Sequence, residues 1–141
     1  MSVRFAGYAA VFDRVDRGGD VVRAGAFEGT LPAASGAVPL LWQHRGAPVG
    51  VIETVAEDAR GLRVIGRIEE KGLAGLVASG AVRGLSFGYR VVASRGGSGR
   101  VRELMGVELV EISLVAQPMQ ALARVHAVEG MAASEGVAAI R

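Results

Sequence analysis

The sequence indicates one glycine-rich globular domain. It has 141 residues, of which 50% are apolar and 21% charged, with 21 glycines, no cysteine and a formal net charge of +2. This balance excludes a disordered chain, and the lack of thiols excludes a disulfide framework, a cysteine-ligated metal and a thiol nucleophile. No apolar run approaches the ~20 residues that span a membrane, and no secretory signal is recognisable, so neither is expected.

The first half of the chain predicts strands joined by polar and glycine-rich turns. Residues 3–12 alternate loosely in hydrophobicity and are rich in aromatic and β-branched side chains, which predicts a strand ending at DRVDRGGD. Residues 24–34 have apolar side chains four positions apart and contain a proline near their end, which predicts a short helix. Apolar runs at 38–42 and 49–55 flank QHRGAP and predict a hairpin-like pair of strands.

The second half predicts further antiparallel strands and a helix. Residues 62–68 are expected to pair with residues 49–55, and residues 71–81 have the spacing of an amphipathic helix that ends near a glycine. Strands are predicted at 85–92 and 101–115, joined by the turn SRGGSGR. Many short strands with two brief helices indicate an all-β sandwich or a closed barrel decorated by helices.

The end of the chain is expected to leave this fold. Residues 122–128 predict a last edge strand, and GMAASEGVAAIR then loses bulky side chains. The sequence therefore predicts a domain over residues 1–128 and a flexible C-terminal tail over residues 129–141.

Arginine supplies all but one of the sixteen basic residues, and five arginines fall between positions 83 and 102 without an acidic residue among them. A solvated hairpin edge explains this group, and a surface for phosphate or for an acidic partner is the alternative. Only 5% of the residues are aromatic. A nucleic-acid-binding barrel, which needs aromatic side chains among its arginines, is therefore not favoured.

The stretch GLSFGYR, residues 84–90, places Ser86 on a predicted strand between two glycines that share its face. A serine hydroxyl is a poor nucleophile at neutral pH, so it needs a neighbouring base and dipoles that stabilise the oxyanion. The glycines would let a substrate backbone approach the hydroxyl; alternatively they mark a bulge or make room for packing. Ser86 is the candidate nucleophile.

The two histidines have different settings. His44 follows LLWQ at the end of a predicted strand, where a side chain is held rigidly and remains accessible, as a general base requires. A surface or packing histidine is the alternative. His126, near the C-terminus, is expected to be structural.

Glu111 is the lone acid in the apolar stretch LVEISLVAQPM, residues 109–119. Because an unpaired buried carboxylate is costly, it must face solvent or meet a partner such as an imidazolium. On a strand it shares a face with Ser113. It could then orient His44 as the third member of a serine-hydrolase triad does, and an exposed strand glutamate is the alternative.

Motifs for cofactors and metals are absent. We find no phosphate-binding glycine loop, dinucleotide fingerprint, zinc-helix motif or GxSxG elbow, and no cofactor is expected. Asp13, Asp16 and Asp20 have a metal-like spacing, but the glycine and terminal acid of a calcium loop are missing. A solvated turn is expected there, and no metal site.

The motifs WQH, GLSFGYR and LVEISLVAQPM, in this order and with AGYAAVFD and GAF upstream, resemble the prohead maturation protease family of HK97-like tailed phages. The resemblance covers roughly residues 5–125, most of the chain. Members are serine proteases that enter the immature capsid, cut scaffold segments from capsid subunits and commonly destroy themselves. They are related in fold to herpesvirus assembly proteases, so the resemblance implies a closed antiparallel β-barrel decorated by a few short helices.

Residue by residue, the resemblance makes Ser86 the nucleophile and His44 its base. Glu111 takes the place that a second histidine has in the herpesvirus relatives. In those relatives an arginine-containing loop after this strand helps to build the oxyanion hole, whereas residues 116–120 here contain no arginine. Backbone N–H groups could serve instead.

The resemblance implies a serine endopeptidase that cleaves scaffold segments from the capsid precursor and processes itself. Its expected partners are capsid precursor and scaffold polypeptides, without a membrane or a specific nucleic acid, and a homo-oligomer is left open. The expected location is the immature capsid in the host cytoplasm. The short chain fits a compact protease with a separate scaffold, or a product of a gene-transfer particle or degenerate prophage. A non-catalytic capsid-assembly or scaffold-binding module of the same fold is the alternative function.

Overall fold

The computed structural model describes residues 2–31, 37–97, 99 and 101–130. Most of these residues belong to β strands. In chain order the elements are β1 Val3–Val11, β2 Asp20–Val22, β3 Pro39–Trp42, β4 Arg45–Glu57, β5 Gly61–Ile68, α1 Lys71–Ala78, β6 Gly84–Gly96, β7 Arg102–Val115 and β8 Val125–Gly130. The prediction of a mainly β protein is confirmed.

One sheet contains all eight of these strands, and β7 connects its parts. The order is β2-β7-β3-β4-β5-β1-β8, and β6 pairs with β7 in addition. Strands β2 and β3 pair in parallel with opposite ends of β7, whereas β6 runs antiparallel along it. Because each strand has two edges, β6 occupies one edge of β7 and the two parallel strands share the other. The predicted pairing of β4 with β5 is confirmed.

The sheet curls into a half-barrel, and the expected closed barrel is wrong. Only an isolated bridge, Gly84–Arg124, links β6 to the segment before β8. The Leu85 N–H donates to the Ala123 carbonyl over 2.9 Å beside this bridge. The chain then turns to pair β8 with β1. Strand β6 therefore forms no ladder with β8. The sheet has two free edges and does not close into a barrel.

The core lies inside the curl of the sheet. Its largest fully buried side chains come from strands on all sides: Phe5, Phe27, Leu40, Ile52, Leu62, Ile68, Leu85, Leu104, Ile112 and Leu114. Helix α1 buries Leu73, Ala74 and Val77 against this core. The Glu70 carboxylate accepts the N–H groups of Gly72 and Leu73 and so caps its first turn.

The helix predicted over residues 24–34 is not formed over residues 24–31. Residues 24–30 form consecutive turns, and residues 32–36 lie outside the described part of the chain. The Glu57 carboxylate fixes these turns, because it accepts the N–H groups of Gly25 and Phe27 over 3.0 and 2.7 Å. These bonds replace helical ones, so α1 is the single α-helix among the described residues.

The end of the described chain differs slightly from the expectation. Strand β8 lies at the sheet edge, as predicted, but it begins at Val125 and includes residues 129 and 130. Residues 131–141, which make up most of the predicted tail, lie outside the described residues. The flexible tail and the domain boundary stay predictions. Within the described residues, no helix has the length and apolar character needed to cross a membrane.

Candidate active site

His44 lies at the tip of the tight β3–β4 hairpin. Trp42 and Arg45 are paired, so the turn contains only Gln43 and His44, with φ of +55° and +64°. Positive φ at both central residues is typical of a type I′ hairpin turn, and it is costly for side chains larger than glycine. The Gln43 N–H donates to the Leu114 carbonyl over 3.0 Å, which anchors the turn to β7. The hairpin therefore holds the imidazole in a position that its backbone alone would disfavour.

Glu111 of β7 is the partner of that imidazole. Its Oε1 lies 2.5 Å from His44 Nδ1. The residue is only 7% exposed, so this hydrogen bond is shielded from water on the carboxylate side. The alternative of an exposed strand glutamate is therefore wrong, and the carboxylate has the buried partner that its apolar surroundings require.

Ser113 completes this contact and was not predicted to have a role. Its hydroxyl donates to Glu111 Oε2 over 2.7 Å and accepts the backbone N–H of His44 over 3.0 Å. Ser113 is fully buried. It thus fixes both the carboxylate and the turn that carries the imidazole. The shared face of Glu111 and Ser113 on one strand was the only sequence signal for this role.

Ser86 of β6 lies directly opposite Ser113 in the β6–β7 register. It therefore shares a face of the sheet with Glu111 and Ser113. Ser86 is 8% exposed and lines, together with His44, a cavity of about 140 Å³. Leu85, Phe87 and Met119 supply apolar walls to this cavity. The structure therefore brings all three predicted residues to one place.

The two glycines beside Ser86 make room for the protein itself. A Cβ on Gly88 would overlap Oε1 of Glu111, and a Cβ on Gly84 would lie 2.6 Å from the Val115 carbonyl oxygen. The register also shifts between Gly88 and Tyr89, as at a bulge. The alternative that the glycines mark a bulge and make room for packing is therefore supported, and the clearance for a substrate backbone stays a prediction. The glycines allow Glu111 and the end of β7 to pack against β6.

The segment after β7 forms another side of the cavity. The Gln120 side chain binds both backbone groups of Val11, accepting from its N–H over 2.7 Å and donating to its carbonyl over 3.2 Å. The Ala116 N–H donates to the Gln43 side chain over 2.8 Å. These bonds tie residues 116–120 to β1 and to the hairpin that carries His44.

The aspartates of the β1–β2 loop have structural partners. Asp16 Oδ1 accepts the N–H groups of Gly18 and Asp20, and Asp20 receives two hydrogen bonds from the Arg102 guanidinium. The bond from Arg102 lowers the pKa of Asp20, against an opposing effect of burial. Among the described residues, no group of three or more histidine and acidic side chains is placed to hold a metal ion.

His126 lies away from this cavity, on β8. Its ring packs edge-on against Tyr8, with ring centroids 5.6 Å apart. Burial, and then the positive charges of Arg60 and Arg124, lower the pKa of His126. This packing agrees with the structural role expected for it.

A serine, an imidazole and a buried carboxylate, here on a curled and mostly antiparallel sheet, are the residue set of a serine hydrolase. The chain belongs to the caudovirus prohead serine protease family, whose model matches residues 1–135. The family predicted from the three motifs is thereby confirmed.

Two similar proteins place the chain more closely. Over 94 residues it is 37% identical to the prohead protease of Enterobacteria phage HK97, a match covering 62% of this chain and 42% of that relative. The chain thus spans less than half the length of this relative. The fold is similar to that of KSHV protease in complex with a hexapeptide phosphonate inhibitor, with a TM-score of 0.64, 15% identity, and coverage of 94% of this chain and 67% of that one. The predicted likeness to herpesvirus assembly proteases is confirmed for the fold.

Proposed function

We propose that this chain is a serine endopeptidase that cuts scaffold segments from a capsid precursor and processes itself inside the immature capsid in the host cytoplasm. The observation that carries the proposal is the hydrogen bond between His44 and the buried Glu111, beside a cavity that Ser86 also lines. Family membership supports the same chemistry.

His44 acts as the base. Since Glu111 accepts the Nδ1–H hydrogen bond, Nε2 is left free to take a proton. Ser86 Oγ attacks the peptide carbonyl carbon while its proton moves to Nε2, and the carbonyl π electrons move to oxygen. As the tetrahedral intermediate collapses, the C–N bond breaks and Nε2 returns the proton to the leaving amine. Water then attacks the acyl-enzyme with the same proton transfers, releasing the acid and Ser86.

Glu111 stabilises the imidazolium that exists between these transfers. Its second oxygen is occupied by the Ser113 hydroxyl, so the carboxylate cannot easily rotate away from His44. For the oxyanion, the backbone N–H groups of Met119 and Gln120 are the proposed donors, because these two residues line the cavity, whereas Pro118 has no N–H and the Ala116 N–H already binds Gln43.

Co-expression with the capsid precursor and scaffold tests the proposal. Ser86→Ala is expected to leave both polypeptides and the protease itself uncut, as seen by gel electrophoresis and mass spectrometry. Ser94→Ala, which removes an exposed hydroxyl on the same strand, is the matched control and should process normally. Normal processing of the precursor when only the Ser86→Ala protein is co-expressed would contradict Ser86 as the nucleophile, and a non-catalytic assembly or scaffold-binding module would then be the alternative.

A further inference from the structure

Within the described part of the chain, four arginines that form no ion pair with a carboxylate line cavities beside the candidate active site. Most other arginines of the described chain are paired: six of them contact Asp or Glu within 4.0 Å, namely Arg4, Arg23, Arg67, Arg90, Arg95 and Arg102. Four unpaired ones line two neighbouring cavities, and we call them the arginine face: Arg17, Arg60, Arg83 and Arg124.

The two cavities of the arginine face share two of their lining residues, Arg83 and Arg124. One, of about 290 Å³, is lined by Arg17, Arg83 and Arg124, and the other, of about 280 Å³, by Arg60, Arg83 and Arg124. Among the described residues, neither cavity has an acidic lining residue. All four side chains are exposed. The result is a concave, uncompensated positive surface, which favours a negatively charged ligand.

The hydrogen bonds that these arginines do make leave their charge in place. Arg17 Nη1 donates to the Gln117 side chain over 3.1 Å, and Arg124 Nε donates to the Ala121 carbonyl over 2.6 Å. Both acceptors are neutral. The Arg60 guanidinium lies 5.1 Å from the centroid of the Tyr8 ring. The carboxylate of Asp58, two residues before Arg60, accepts the Tyr8 hydroxyl and the backbone N–H groups of Arg60 and Gly61.

The position of the arginine face relates it to the candidate nucleophile. Arg83 precedes Ser86 by three residues, which corresponds to roughly 10 Å along a strand. Gly84 and Pro118 line the larger cavity, while their neighbours Leu85 and Met119 line the cavity that contains Ser86. An extended peptide bound at Ser86 would therefore reach the arginine face within a few residues of the scissile bond.

We propose that the arginine face binds an acidic segment of the substrate polypeptide and so selects precursors that carry Asp or Glu close to the cleavage site. Guanidinium groups bind carboxylates through paired N–H donors, and four of them in one concavity suit several acidic side chains. Single-stranded nucleic acid is disfavoured, because apart from His126 no aromatic side chain lines either cavity among the described residues. The identity of the occupant as substrate rests on the proposed peptidase function.

Binding is measured separately from cleavage, in the Ser86→Ala protein, by fluorescence anisotropy. The probes are a labelled twelve-residue peptide of alternating Glu and Ala, its Gln and Ala counterpart, and a twelve-nucleotide oligo-dT. The Glu peptide is expected to bind about tenfold more tightly than the Gln peptide, and raised salt should reduce that difference. Equal binding of the two peptides would overturn the proposal, and so would tighter binding of oligo-dT than of the Glu peptide.

Matched variants locate the site. Arg83→Gln/Arg124→Gln should weaken binding of the Glu peptide about tenfold, since two contacts of about 0.7 kcal/mol each make one decade. Arg83→Lys/Arg124→Lys keeps the charge and should retain most of the affinity. The control Arg14→Gln/Arg90→Gln removes the same charge from exposed positions outside both cavities and should change affinity less than twofold. Equal losses in the control would mean that net charge alone is responsible, which contradicts the proposal.

Cleavage of the precursor separates this inference from the proposed function. In the active protein, Arg83→Gln/Arg124→Gln should raise KM about tenfold with kcat unchanged, because the arginine face would bind substrate without touching the reacting atoms. If Ser86→Ala failed to abolish cleavage, the peptidase assignment would fall while the peptide-binding result stood by itself. An unchanged KM in the Arg83→Gln/Arg124→Gln protein would contradict a substrate-binding role for the arginine face.

Discussion

The ribbon formed by β6 and β7 has two halves that hold polar side chains in different ways. In the inner half, residues 84–87 and 111–115 are all buried, and the polar groups of Glu111 and Ser113 bind each other. In the outer half, residues 90–96 are exposed, and arginines pair with glutamates across the strands, as Arg90 does with Glu108 over 2.7 Å. One pair of strands therefore carries a shielded network at one end and solvated ion pairs at the other.

The difference between the two halves indicates where substitutions should matter. A buried carboxylate that loses a partner cannot replace it with water, whereas an exposed ion pair gains little over its solvated parts. Changes in the inner half should therefore reduce activity, and similar changes in the outer half should be nearly neutral. Four experiments test this contrast.

The largest effect is expected for Glu111→Gln. The amide has the same shape, but it cannot stabilise the charged imidazole of His44, so kcat should fall about 10³-fold. The measurement is the steady-state rate of precursor cleavage. Glu108→Gln removes a glutamate from the outer half of the same strand and should keep the rate within about twofold. Equal effects of the two substitutions would contradict the contrast between the halves.

Gly88→Ala should be next in size. The added Cβ overlaps Glu111 Oε1, so the carboxylate must move away from His44, and we expect a loss of about 1–3 kcal/mol in unfolding free energy with a reduced kcat. Gly106→Ala is the matched control in the outer half, where the new Cβ would have only ordinary contacts at 3.6 Å. Denaturant unfolding and precursor cleavage measure the two effects.

A double-mutant cycle shows whether Gly88 acts through Glu111. In a Glu111→Ala background, the stability cost of Gly88→Ala should shrink, because the overlapping carboxylate is gone. A cost that stays the same in both backgrounds would place the effect elsewhere in β6.

Ser113→Ala should have a smaller effect. It removes the donor to Glu111 Oε2 and the acceptor of the His44 N–H, so stability should fall by about 1–3 kcal/mol. If Ser113 positions the hydrogen-bonded pair of His44 and Glu111, kcat should also fall about tenfold with KM unchanged. Ser94→Ala in the outer half is the control for both measurements. A loss of stability with normal kcat would mean that Ser113 only supports the fold.

The sequence predicted those parts of the fold that depend on local patterns. Strand β5 alternates clearly, β1 alternates loosely but is rich in aromatic and β-branched residues, and both lie within about a residue of their expected bounds. Strand β2 has only three residues, too few for a period, and its parallel pairing with β7 joins distant segments. The closed barrel was wrong for a similar reason, since closure depends on where the segment before β8 turns.

The sequence predicted which residues form the candidate site, but it did not predict most of the contacts that hold them in place. The cost of burying a lone carboxylate pointed correctly to a partner for Glu111. The roles of Ser113 and Gly88 depend on the β6–β7 register, which fixes the residue opposite each of them, and a single strand pattern does not contain that information. The left-handed turn at His44 was also missed, because QHRGAP lacks the Asn-Gly or Asp-Gly pair that usually marks a type I′ turn.

The smallest effect is expected at Glu103 in the outer half of the ribbon. It is a change in the stability of the protein at low pH. Hydrogen bonds from Arg95 and Arg23 lower the pKa of Glu103 to about 2. Because the folded-state pKa is lowered, the stabilisation is present above the ordinary glutamate pKa and is lost as pH falls towards about 2. An NMR titration of Glu103 should therefore show a midpoint near 2, and Arg95→Gln should raise it. Above pH 5 the same substitution should leave precursor cleavage unchanged, since this pair is solvated and remote from Ser86. A lowered cleavage rate would show that the outer ribbon also takes part in holding the active site.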